Sequence, residues 1–80
     1  MSVKDIVVKR FKDLCVERGI KANELASISG VTASTVYSLL DDRRRDVSII
    51  TIKKLCDGLE ISLSEFFSST DFEELEQELY

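Results

Sequence analysis

Arg43, Arg44 and Arg45 stand side by side, and they are the densest group of side chains in the chain with an obvious chemistry. A guanidinium is a planar fork of N–H donors that matches the oxygens of a phosphate, so this run is suited to holding a phosphate backbone. Asp41, Asp42 and Asp46 flank it, however, and leave "DDRRRD" neutral. The same residues therefore also read as a solvated loop whose cations follow the end of a helix. Cys15 and Cys56 are the other reactive types. With no histidine and no second cysteine pair they cannot build a zinc site of ordinary spacing, and neither has a base to make it a nucleophile. Both fall inside apolar helical patterns and read as reduced core residues. No phosphate-cradling glycine loop is present, no cofactor or metal is implied, and no small-molecule ligand is evident; the inventory argues against an enzyme.

The chain that must position these groups has 80 residues, 44% of them apolar and 32% charged. That is enough for one core and too little for a deep two-layer cleft with a lid. No apolar run approaches the roughly 20 residues needed to cross a bilayer, and the N-terminus lacks a signal-peptide pattern, so a cytoplasmic location without membrane contact is expected. The net charge of −4 argues against a surface that seeks phosphate everywhere. Its distribution matters more: residues 1–61 carry +2 and residues 62–80 carry −6, with no base among the latter.

Helical periodicity accounts for nearly all of the sequence. Val3, Val7, Phe11, Leu14 and Cys15 recur at spacings of three and four among charged residues that include Lys4 and Lys9, predicting a helix over residues 3–18 stopped by Gly19. A second helix is expected over 22–29, with Leu25, Ala26 and Ile28 on its apolar side, Glu24 in its first turn and Gly30 as its stop. Thr32 is placed to cap a third helix over 33–40, whose stripe is Val36, Leu39 and Leu40. Ser48 is placed to cap a fourth, lined by Ile49, Ile52, Leu55, Cys56 and Leu59 and loosened at its last turn by Gly58. Ser62 and Glu65 suggest a capping box opening a short fifth helix with Phe66 and Phe67. Without proline or strand-type alternation, the fold is expected to be all-α.

Residues 22–40 have the dimensions of a helix-turn-helix. Ala26 is small where two helices approach, Gly30 can take a positive φ, and Val31 and Val36 can fill the angle between them. Two stretches, "RGIKANELASISGVTASTVYSLL" and "SIITIKKLCDGLEISLSEFF", resemble the Cro/CI-type (XRE) helix-turn-helix domains of phage repressors and bacterial regulators in both order and spacing. The resemblance covers about residues 7–67. It implies a compact five-helix, lambda-repressor-like domain over residues 1–68, binding operator DNA as a homodimer with the 33–40 helix in the major groove.

Carried over by position, the resemblance puts base contacts at Thr32, Ala33, Ser34 and Ser38. It puts phosphate contacts near Ala22 and Asn23 and at Arg43, Arg44 and Arg45. Where many relatives have a phosphate-holding glutamine this chain has Ala22, leaving backbone N–H groups, Asn23 or Lys21 for that task. Tyr37 could reach a phosphate or a base edge, or could lie on the helix surface with no ligand. Ala33 stands where a long polar side chain is common; it can touch a thymine methyl but cannot make a bidentate base contact. Sequence choice should then rest on methyl contacts, hydroxyls and DNA shape.

Residues 69–80 form an acidic amphipathic tail. Thr70 and Glu73 could form a capping box, with Phe72, Leu75 and Leu79 along one side. So short a helix is not stable alone in water, where about 12–15 residues are needed. Docking on its own domain, pairing with a second copy and remaining disordered stay open, and its charge should keep it away from DNA. The leading function is a sequence-specific DNA-binding regulator, expected to be a repressor on a palindromic site. The alternative is a protein-interaction module on the same fold, which the acidic total and the short reading side chains would suit.

Overall fold

Ser2 opens the first helix by a reciprocal cap. Its hydroxyl accepts from the Asp5 N–H at 3.1 Å while the Asp5 carboxylate accepts from the Ser2 N–H at 2.9 Å, fixing the start of α1 (Val3–Arg18). The computed structural model describes residues 2–75, and all regular structure among them is helical. After α1 come α2 (Ala22–Ser29), α3 (Ala33–Leu40), α4 (Ile49–Gly58), α5 (Leu63–Phe66) and α6 (Thr70–Glu73). This is the expected all-α arrangement of five helices and a helical tail. No helix among the described residues is long and apolar enough to cross a membrane.

Helix α2 is the hub, with α3 and α4 both packed on it. Gly30, at φ 69°, ends α2 in the left-handed region where a Cβ would be strained, and Val31 N–H closes the turn on Ala26 O at 3.1 Å. Val36 and Ala26 are buried at the α2–α3 crossing, and Val31 packs against them from the turn. The core is one cluster, with Phe11 and Leu14 from α1, Leu25, Val36 and Leu39 from the motif, and Leu55, Cys56, Leu59 and Phe66 from the closing helices. Both cysteines are free thiols, and burial pushes the Cys56 thiol up to about 11 and raises that of Cys15, as suits packing residues.

Several faces turn out differently from the periodic reading. The buried stripe of α1 runs through Lys4, Val7, Phe11 and Leu14 with Ile6 beside it, so Val3 is exposed and a lysine occupies a core position. Ile28 is 51% exposed because the inner side of α2 runs through Ala22, Leu25, Ala26 and Ser29. Ile49 is 56% exposed; Val47, just before the Ser48 cap, packs on the core together with Ile52, which starts the α4 stripe one turn later. Gly58 serves close approach rather than a loosened turn, since a Cβ there would lie 2.2 Å from Ser29 Oγ. The helix is stopped instead by Glu60, which takes the left-handed φ of 59° while Ile61 N–H bonds Cys56 O at 3.0 Å.

The described part of the tail docks on its own domain. Phe72 lies 6.1 Å from Phe66 and 5.0 Å from Phe67 between ring centroids, and Asp71 pairs with Lys9 of α1 at 3.2 Å. Ser69 caps α6 by accepting from Asp71 N–H, in place of the expected Thr70–Glu73 box. Leu79 lies outside the described residues.

Candidate nucleic-acid interface

The N-terminus of α3 is built from hydroxyls. Thr32 Oγ1 accepts from the Thr35 N–H at 3.3 Å, which makes it the helix cap, and lies 3.0 Å from Ser34 Oγ and 2.9 Å from Thr35 Oγ1. A hydroxyl has one donor and two acceptor sites, so Ser34 keeps capacity for an outside partner after its bond to Thr32. Thr32, Ala33 and Ser34 are exposed and Ser38 is half-buried. Together they form a low surface of methyls and hydroxyls at the end of a short helix.

Two of the expected phosphate-binding residues meet across the motif. Tyr37 Oη donates to Asn23 Oδ1 at 2.9 Å, tying the exposed side of α3 to the start of α2. With its carbonyl oxygen taken, the Asn23 amide has its two N–H donors left for an acceptor such as phosphate. Lys21 is the N-cap residue of α2 and supplies no side-chain cap; its backbone N–H donates to Glu24 Oε1 at 3.3 Å. The first-turn N–H groups of α2 are thus open at the helix end, where the dipole favours an anion.

The arginine loop is not uniform. Arg43 is held inside it: its backbone N–H and Nε each donate to Asp41 Oδ1 at 3.0 Å, and Nη2 donates to Asp41 Oδ2 at 3.0 Å. These bonds hold the Asp41 carboxyl at about 2, well below the usual carboxylate range. Arg44 instead lines a groove of about 440 Å³ between α3 and the start of α4, together with Thr35, Ser38, Ser48 and Thr51. Arg45 is exposed; the Asp5 carboxyl on α1 is held below the usual carboxylate range chiefly by the Ser2 backbone N–H, and the charge of Arg45 adds a lesser contribution. Asp46 also lines the groove and is the one acid among the described residues that do, so an anion would sit nearer Arg44 and the hydroxyls.

The sequence assigns no role to Thr35 and Thr51, and to Ser48 only that of capping α4, which it fills by accepting from the Ile50 and Thr51 N–H groups. Thr35 and Ser38 are three apart and so share a helix face, which was a readable signal. The partnership with Ser48 and Thr51 was not readable, because it depends on how α4 is set against α3.

The family model described as the Cro/C1-type HTH DNA-binding domain matches residues 10–71. No curated protein matches the chain. Among solved structures, one described as the crystal structure of the prophage Lp1 protein 11 is similar with a TM-score of 0.82 and 28% sequence identity, over 94% of this chain and 100% of that one.

Proposed function

Because this chain belongs to the Cro/C1-type helix-turn-helix DNA-binding domains, we propose that it is a sequence-specific regulator, a repressor that binds a palindromic operator as a homodimer. The observation that carries this reading is the exposed, hydroxyl-rich start of α3, flanked by the open end of α2 and by the Arg44 groove. Thr32, Ala33, Ser34 and Ser38 meet base edges in the major groove. Lys21, Asn23, Tyr37 and the arginines of residues 43–45 meet the backbone on either side, with Arg44 foremost among the three.

The need for two copies follows from magnitudes. A specific complex exceeds non-specific binding by about 4–10 kcal/mol, and a well-made bidentate base contact supplies about 1–3 kcal/mol. Hydroxyls and the methyls of Thr32 and Ala33 on a two-turn helix fall short of that. Two copies on half-sites about one helical turn apart add their contributions and place one α3 in each of two successive major grooves. Occupying such a site blocks whatever else must bind there, which is repression by exclusion.

The assignment of α3 is tested by Ser34→Ala. Sites selected by this variant should differ from those of the wild type at one position in each half-site, with the rest of the site unchanged. A selected site identical to the wild type's would remove Ser34 from the reading surface.

A further inference from the structure

Lys4 is 4% exposed, on the stripe of α1 that Val7, Phe11 and Leu14 continue into the core. Its Nζ donates to Asp41 O at 3.1 Å and to Arg44 O at 2.9 Å, across 37 and 40 residues of chain. Asp41 is the C-cap of α3, and its carbonyl also accepts from the Arg44 N–H at 3.1 Å. One ammonium therefore closes the turn that leads out of the motif, gripping it at both ends. An apolar side chain at this stripe position would avoid the cost of taking a charge out of water. The lysine makes sense if those carbonyls need a donor, and a cation beyond the C-terminus of α3 is also favoured by the helix dipole.

The turn it closes is the one that aims Arg44. Arg43 is engaged by Asp41, whereas Arg44, whose own carbonyl Lys4 holds, lines the groove beside Thr35, Ser38 and Ser48. We propose that Lys4 is a positioning residue for DNA binding: buried and out of reach of DNA, it fixes the turn after α3 so that Arg44 faces the phosphate backbone. This rests on the reading of Arg44 as a phosphate contact.

The test is a salt titration of binding to one DNA site by the wild type, Arg44→Ala, Lys4→Met and the double variant. Loss of folded protein scales affinity equally at every salt concentration, so it leaves the slope of log K against log[salt] unchanged. Loss of one phosphate contact from each of the two copies on the site flattens that slope by about 1.8, at about 0.9 per contact. Arg44→Ala should flatten it by about that amount, Lys4→Met should do the same, and the double variant should go no further. The bases preferred by all four should agree.

A wild-type slope for Lys4→Met, or a double variant flattened by about twice as much, about 3.6, overturns the positioning role while leaving Arg44 as a contact. A wild-type slope for Arg44→Ala overturns the contact itself and the positioning role with it. Should Lys4→Met fail to fold, Lys4→Gln, uncharged and one bond shorter, takes its place with the same opposed outcomes.

Discussion

Phe66→Ala is expected to remove about 3–5 kcal/mol of folding stability, the range for deleting a fully buried aromatic ring. Phe66 has no exposed surface, and its ring lies 4.5 Å from Phe11 and 5.0 Å from Phe67 between centroids. Arg10 of α1 stands 5.8 Å over the ring and donates to the carbonyls of Phe66 and Glu65, both at 3.1 Å. The residue thus joins α1, α5 and the start of the tail in one contact set. At about 0.05–0.15 kcal/mol per residue a domain of this size holds roughly 4–12 kcal/mol in all, so the variant should be marginal or unfolded. Thermal unfolding should show a Tm lower by at least about 12 °C. A loss below about 1 kcal/mol would mean that the ring is not the joint described.

Gly58→Ala decides between two opposed effects. Inside an exposed helix, alanine would stabilise by about 1 kcal/mol relative to glycine. Here the added Cβ would sit 2.2 Å from Ser29 Oγ and 2.9 Å from Ser29 Cα. The second contact is with backbone, so rotating the serine side chain cannot relieve it and α4 must move off α2. Overpacking of this kind costs typically 1–3 kcal/mol, and with backbone displaced the upper half of that range is expected. The net prediction is a loss of about 1–2 kcal/mol on unfolding in urea, only partly recovered by adding Ser29→Ala. Removing that hydroxyl also removes a buried oxygen that has no hydrogen-bond partner among the described residues, which relieves a desolvation cost. A Gly58→Ala variant more stable than the wild type would show that α2 and α4 are not in such close contact.

The helix-turn-helix was legible because its signals are local. Thr32 and Gly30 set the ends of α3 and α2 through their own side-chain and backbone chemistry, and both helices occupy the expected residues. What escaped depends on partners far along the chain. Lys4 reads as a surface charge by type, and only the carbonyls of Asp41 and Arg44, brought to it by the fold, make its burial tolerable. Gly58 looks like a loosened helix end until Ser29 is seen against it. Ile49 fits the apolar stripe by spacing, but Val47 reaches the core from outside the helix and leaves Ile49 exposed. In the interface, the hydroxyls of α3 could be placed from sequence. The bond from Tyr37 to Asn23, which joins two separate phosphate candidates, could not.

That α3 reads a symmetric DNA sequence on behalf of two copies can be checked by selecting bound duplexes from a random pool and titrating the winner against salt. A palindromic sequence with half-site centres about 10 base pairs apart should be enriched, and affinity should fall steeply as salt rises. Equal, weak binding to every sequence would contradict that reading and would favour a protein partner for this surface.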